Sequence, residues 1–367
     1  MTSRFRAGGP IGQDSRYVER PADRILPEAL RHGEFCHVFG PRQLGKTSLC
    51  MRSARIPLAQ AGVRCAFIDL TEIITSDISA DHFYFGLIDA SIRELLGADA
   101  DAAPFWQAQA EPPSQRWMRF LEEVVLRDGS PPTVIFIDEI DKLFDTGFAA
   151  GLLASLRSIH SKRENDSVYQ KLSFCLTGVA GPWEFPGALL HSPLPISRTI
   201  ELRDFTRDEA NAFTDDLASL GGNTEQLLES IFSWTLGHPY MLQRIGGLIE
   251  QRGAANVDSE ILVSEIAREF LVKDGRIQDA ALNYAERHFA DRNPDLRSDR
   301  VELYRILLAG EDVSAKANDP VQTDLWLAGM ASFRHEGDQV TLAIRNRIFA
   351  EVFDKTWLDN HSKSRLG

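Results

Sequence analysis

The sequence predicts an α/β protein: a parallel β-sheet with helices on both faces, followed by an all-helical segment and a C-terminal winged helix. Three observations predict it. Apolar runs at 35–39, 64–70, 133–137 and 172–177 are separated by helix-like stretches, and continuously apolar strands alternating with helices mark a parallel sheet buried on both faces. Beyond Thr206 the strand signal stops, and residues 207–290 alternate helical segments with short loops. The part after about 295 reads helix, helix, hairpin, the element order of a winged helix. The expected organisation is a flexible lead-in over 1–16, a sheet domain over 17–205, a helical lid over 206–292 and a winged-helix domain over 293–367.

Each element has a local reason. Leu26, Ala29 and Leu30 share one side of a first helix that Gly33 ends. Residues 48–60 predict a second helix, and 78–96 and 114–127 two more before Pro131 and Pro132 punctuate the chain. A helix is expected over 148–160 and a short strand over 199–202. Helices follow over 208–220, 224–236, 239–251, 259–271 and 277–289, then 299–309 and 321–329. Two apolar stretches around an Asp/Glu/Gly turn predict a hairpin within 331–342, and a last helix is expected over 346–357.

With 367 residues, 43% hydrophobic and 25% charged, the chain has a globular composition and room for two or three domains. Asp plus Glu outnumber Lys plus Arg by 53 to 40, a net charge of −13, so binding a nucleic acid would require a local basic patch. Cys36, Cys50, Cys65 and Cys175 show no paired spacing and are expected as reduced thiols, those at 36, 65 and 175 in strand-like runs. No apolar run approaches the roughly 18 residues of a membrane span, and the N-terminus has no signal-like apolar core. A cytoplasmic location without a membrane partner is expected.

The chemistry centres on Gly40, Pro41, Arg42, Gln43, Leu44, Gly45, Lys46 and Thr47, with Ser48 opening the helix behind them. This is G-x-x-x-x-G-K-[ST] after a strand and before a helix, the context of a phosphate-binding P-loop. Its glycines let successive N–H groups face one anion, Lys46 supplies charge to the β- and γ-phosphates, and Thr47 supplies an oxygen to Mg²⁺. The run 134–137 ends in Asp138 and Glu139. Asp138 is placed to hold Mg²⁺ through water and Glu139 to polarise the water that attacks ATP. Asp69, at the end of its strand, is another acid that could face the phosphates. Thr177 at a strand tip reads either as a γ-phosphate contact or as a turn residue. Arg198, just before the short strand, reads either as an arginine offered across a subunit boundary or as a solvated side chain. The turn at Gly237, His238, Pro239 and Tyr240 opens a helix.

These stretches resemble a family. Residues 17–23, the P-loop, the acids at 138 and 139, the 237–240 turn and the segment 344–353 together look like the AAA-like branch of the STAND ATPases, relatives of AAA+ proteins akin to NACHT and NB-ARC switches. The resemblance spans about 17–357. It implies an ADP-bound resting state, ATP-linked opening, homo-oligomerisation with nucleotide state and slow hydrolysis of ATP to ADP. Arg20 would sit near the adenine, and Pro239 would close over it from the lid. Family members commonly carry a fused effector or sensor. Only ten residues follow 357, so the effector is expected as a separate protein partner, in signalling or antiviral defence.

Two other readings stay open. A DNA-dependent AAA+ ATPase of origin-binding or transposition type also joins a P-loop domain to a winged helix. Residues 299–367 hold nine Lys or Arg against eleven Asp or Glu, and the candidate recognition helix 321–329 carries Asp324 and no basic residue, which disfavours groove reading. The third reading is a nucleotide-binding structural subunit.

Overall fold

The structure is a computed structural model and describes residues 4–9, 16–144, 146–181, 196–254, 257–273, 278–316 and 318–363. Two compact units divide it: Pro21–Phe39 with Lys46–Leu202, and Met1–Arg20 with Gly40–Gly45 and Arg203–Gly367.

The first unit contains a parallel five-stranded sheet of β1 (Phe35–Phe39), β2 (Arg64–Asp69), β3 (Thr133–Asp138), β4 (Leu172–Gly178) and β5 (Ser197–Thr199). The strands run in the order β2-β3-β4-β1-β5. Its α-helices of eight or more residues are α1 (Ala22–Arg31), α2 (Lys46–Ser53), α3 (Ala80–Leu96), α4 (Pro113–Phe120) and α5 (Ala149–Lys162). Both faces are covered because β3 and β4 are buried at every position. Phe35, Ile135, Ile137, Phe174 and Leu176 join one apolar cluster with Phe83, Trp117 and Leu152. On the opposite face the Cys50 sulfur of α2 lies 3.9 Å from that of Cys175 in β4. All four cysteines are free, with Cys36, Cys50 and Cys175 buried and Cys65 partly so, and burial raises the Cys36 and Cys65 thiols to about 12, which keeps them unreactive.

The second unit holds α6 (Thr224–Thr235), α7 (Pro239–Arg252), α8 (Ser259–Ile266), α9 (Ala280–Asp291), α10 (Arg297–Leu308), α11 (Pro320–Leu327), α12 (Arg347–Val352) and α13 (Lys355–Lys363). Its antiparallel sheet runs β6 (Val313–Ser314), β8 (Gln339–Ile344), β7 (Ala331–Glu336). The expected lid and C-terminal segments share one continuous apolar cluster, which includes Phe213, Trp234, Leu282, Tyr304, Leu342 and Trp357.

Three expectations change. The short strand lies at 197–199, so Arg198 is inside it. The final helix is interrupted at Phe353 and Asp354, where the Asp354 carboxylate accepts from the Trp357 N–H and caps a new helix. The candidate recognition helix α11 is largely buried, and Asp324 faces inward. There Asp324 accepts from Arg300 at 2.7 Å and from Asn293 at 3.0 and 3.1 Å, with both charged side chains removed from water. The lack of basic residues on α11 reflects its interior position.

Two predictions follow from these buried groups. Asp324→Ala leaves the Arg300 guanidinium charged and unmatched, at a cost of roughly 3–5 kcal/mol in a denaturant melt; Asp324→Leu combined with Arg300→Met should lose less. His37, whose ring nitrogens meet the Ser197 and Thr199 hydroxyls at 2.8 and 3.0 Å, is held down to about 4 by burial. His288 is held to about 3 by burial and then by Arg300 and Arg42. Below the ordinary histidine value of 6.5 the unfolded chain takes up protons that the folded chain refuses, so stability is complete above that pH and falls on acidification. The melting temperature should be flat from about pH 8 to 7 and decline from about 6.5 toward 4; a flat profile through that window would contradict it.

Candidate functional site

The P-loop leaves β1 at Phe39 and enters α2 at Lys46. Within it Gln43 has φ +65° and Gly45 φ +90°. Left-handed residues in a short loop can turn successive N–H groups toward one point, the geometry of an anion nest, and α2 follows directly in the chain. The first part of the loop packs within the second unit. A Cβ on Gly40 would lie 3.3 Å from the Trp326 ring, the Arg42 guanidinium lies 4.5 Å from the Tyr284 ring centroid, and Leu44 is buried.

In the first unit the acid cluster gathers around Asp138, which is 3% exposed. Its Oδ2 accepts from the Thr47 hydroxyl at 2.6 Å. Its Oδ1 accepts from the Glu139 N–H at 2.9 Å and from the Thr177 hydroxyl. Lys46 is buried at the start of α2. Glu139 has φ +55°, an uncommon conformation for a residue with a side chain. The turn is held by Asp141, whose Oδ1 accepts from the Val179 N–H at 2.9 Å. Gly178 makes room for it, since a Cβ there would lie 2.7 Å from that oxygen.

The donor set suits magnesium. One hydroxyl and one carboxylate lie together, and no cluster of three or more His, Cys, Asp or Glu able to hold a metal occurs among the described residues. Mg²⁺ in nucleotide sites takes one or two protein oxygens and completes its shell with phosphate and water.

Arg20 is buried in the second unit. Its Nη1 donates to the Leu44 carbonyl at 2.8 Å and to the Arg203 carbonyl at 3.1 Å, with the guanidinium 5.2 Å from the Phe205 ring centroid. Gly237 rests on Phe205, where a Cβ would come within 1.9 Å of the carbonyl oxygen, and its own carbonyl accepts from the Phe205 N–H at 2.9 Å. Pro239, at the first turn of α7, is buried beyond it. Between them lies a charged network. The Asp204 carboxylate accepts from Arg345 at 2.6 and 3.1 Å. Burial pushes this carboxyl up, but Arg345, His238 and Arg20 outweigh burial and leave it below its ordinary value. Burial, then Arg345, lowers the His238 imidazole to about 3.

The structure thus brings Thr47, Asp138, Thr177 and the Glu139 backbone together, and separately joins Arg20 to the P-loop and, through Phe205, to the 237–239 turn. Arg198 is not among them. It pairs in register with Cys36 near the start of β1 and its guanidinium meets Glu34 at 3.3 Å, toward the end of the strand opposite the P-loop. Asp69 turns back to cap the helical turn after its own strand, accepting from the Thr71 N–H at 2.8 Å. Sequence reasoning missed Asp141, Asp204 and Arg345. Asp141 sits within the acid run and Arg345 within the 344–353 segment, but only the fold shows their partners.

Comparison with known proteins gives a consistent picture. A WD repeat-containing protein of Synechocystis sp. is 30% identical over 96% of this chain, which spans 30% of that protein's length. The Walker-type ATPase of Pyrococcus abyssi aligns with a TM-score of 0.56 at 18% identity, covering 94% of this chain and 98% of that one. The ORC2 protein of Aeropyrum pernix, in ADPNP and ADP complexes, aligns with a TM-score of 0.52 at 12% identity, covering 97% of each chain. Both likenesses are of fold. The profile of the AAA-like domain matches residues 7–267, and the chain belongs to the AAA-like domain family.

Proposed function

We propose that the protein is an ATP-operated switch of STAND type that hydrolyses ATP slowly and controls a separate protein partner through its nucleotide state. The observation that carries this reading is that the Asp138 carboxylate at the end of β3 accepts from the hydroxyl of Thr47, the last residue of the P-loop motif, at 2.6 Å. Residues 40–44 also touch the C-terminal elements through Trp326 and Tyr284, so a change in the loop with nucleotide can bias those elements. In this reading the P-loop amides and Lys46 hold the phosphates. Thr47 and Asp138 hold Mg²⁺, which supplies charge neutralisation on the phosphates. Glu139 accepts the proton of the attacking water and Thr177 keeps Asp138 oriented. Arg198 has no role within its own chain's site and serves only if a neighbouring copy receives it.

The β6-β8-β7 sheet with α10 and α11 supports the winged-helix reading of the C-terminal segment, with α11 spent on internal packing. ADP at rest, an ATP-linked homo-oligomer and a signalling or defence context belong to the same reading. The Synechocystis relative joins its matching region to WD repeats, which fits a module that works with a repeat-bearing partner. A cytoplasmic location agrees with the free thiols and with the finding that no helix among the described residues is long and apolar enough to cross a membrane. The second reading, a DNA-dependent ATPase, is favoured by the fold likeness to ORC2 and opposed by the burial of α11. A salt-dependent shift of labelled duplex DNA at near-physiological salt would favour it.

Lys46→Ala should weaken ADP and ATP binding by roughly 100-fold or more in calorimetry, since a charge-assisted contact to phosphate is lost. Glu139→Gln should bind ATP as the parent does and lose turnover by roughly 10²–10⁴-fold in a phosphate-release assay. Turnover absent from both parent and Glu139→Gln, with nucleotide still bound, would leave a structural subunit. Light scattering should show a larger assembly with a non-hydrolysable ATP analogue than with ADP, and an identical monomer with both would refute the switch.

A further inference from the structure

The amides of a phosphate loop grip an anion only while their peptide planes are held in one orientation. At Leu44 the holding group is visible: its carbonyl oxygen accepts from Arg20 Nη1 at 2.8 Å. The same Nη1 donates to the Arg203 carbonyl at 3.1 Å, so both of its hydrogens are directed at backbone oxygens. No peptide bond among the described residues is cis. Across a trans peptide the C=O and the following N–H point in opposite directions. Fixing the Leu44 oxygen on the Arg20 side therefore turns the Gly45 N–H away from Arg20. Gly45 is pressed against that guanidinium, since a Cβ would lie 3.1 Å from Arg20 Nη2, and its φ of +90° suits glycine.

The outer end of the grip is also fastened. Next to Arg203, Asp204 binds Arg345 through both carboxylate oxygens, at 2.6 and 3.1 Å. The Arg345 N–H in turn donates to the Met330 carbonyl at 3.1 Å, closing the base of the β7–β8 hairpin. The side chain of Arg345 is 2% exposed and that of Asp204 19%, so this is a largely desolvated pair in the fork geometry that arginine provides and lysine does not.

We propose that Arg20 is a positioning residue of the nucleotide site: by holding the Leu44 carbonyl it aims the Gly45 N–H at the phosphates, with the Asp204–Arg345 pair as its anchor, and it does not read the base. This rests on the nucleotide reading above and departs from the adenine-side place that the family resemblance implies for Arg20. A base contact and a positioning role differ in which ligands they affect. Loss of a base contact weakens adenosine and ADP together, whereas loss of loop orientation weakens every polyphosphate and spares adenosine.

The test measures binding of ADP, inorganic tripolyphosphate and adenosine to the full chain and to its Arg20→Lys and Arg20→Gln variants, with thermal melts alongside. Affinity for ADP and for tripolyphosphate should fall by the same factor, roughly 10- to 100-fold, while adenosine changes by less than about twofold. Hydrogen exchange at Gly45 should quicken in the ADP-bound variants. An equal loss for adenosine, or an unchanged affinity for ADP, overturns the proposal. Asp204→Asn leaves Arg20 intact and loosens its anchor, so it should give the same ligand pattern at smaller size even where the Arg20 variants fold poorly; loss of adenosine binding there overturns it too. Lys46→Ala separates the two levels. ADP binding lost in Lys46→Ala but kept in Arg20→Lys defeats only the role of Arg20, whereas ADP binding kept in Lys46→Ala defeats the nucleotide reading beneath it.

Discussion

The orientation of the peptide planes between Gly40 and Lys46 is the constraint on which the rest of the molecule depends. A nest of backbone N–H groups recognises an anion without any side chain, but only in a conformation that an ordinary sequence would not hold. Gln43 occupies the left-handed region, at a cost of order 1–2 kcal/mol for a residue with a side chain. Burial of Leu44, the Trp326 ring against Gly40 and the Arg20 grip on the Leu44 carbonyl hold the loop in place. The glycine requirement at 45 has a conformational part and a steric part, and the steric part belongs to Arg20.

A second arrangement complements the first in the sheet unit. Parallel register places Asp138 at the C-terminal end of β3, opposite Asp69 and one strand from Thr177, and ligands of open α/β sheets collect outside these ends. The carboxylate is held by two hydroxyls and a backbone amide. Asp141 closes the same turn from below, fixing the backbone from which Glu139 projects. Strained φ at Glu139 at such a place is the kind of local cost that functional turns carry.

What could be read from the sequence was local or periodic. The strands of the sheet, the P-loop and the acid after β3 are written in contiguous residues whose burial follows from their type, and they emerged at nearly the expected positions. The three-residue strand β5 carries too little pattern to place, so Arg198 was set outside it. Asp69 and Asp354 became caps, a local competition that pattern alone does not decide. The burial of Asp324 could not be read from its own segment, because an acid is rarely buried unless paired and its partner Arg300 lies on another helix. The Arg20–Leu44 and Asp204–Arg345 contacts join residues 24 and 141 positions apart, and nothing in either residue's neighbourhood announces the other. The resemblance places Arg20 near the adenine, whereas in the structure its guanidinium holds the Leu44 carbonyl.

The central claim is that the phosphate loop and the C-terminal elements that contact it respond to nucleotide as one. Hydrogen exchange followed by mass spectrometry, comparing the chain without nucleotide, with ADP and with Mg²⁺ and a non-hydrolysable ATP analogue, tests it most directly. The account predicts that exchange over 40–45 and over 326–345 changes together between ADP and the analogue. Protection over 40–45 with exchange over 326–345 identical in all three states would contradict it.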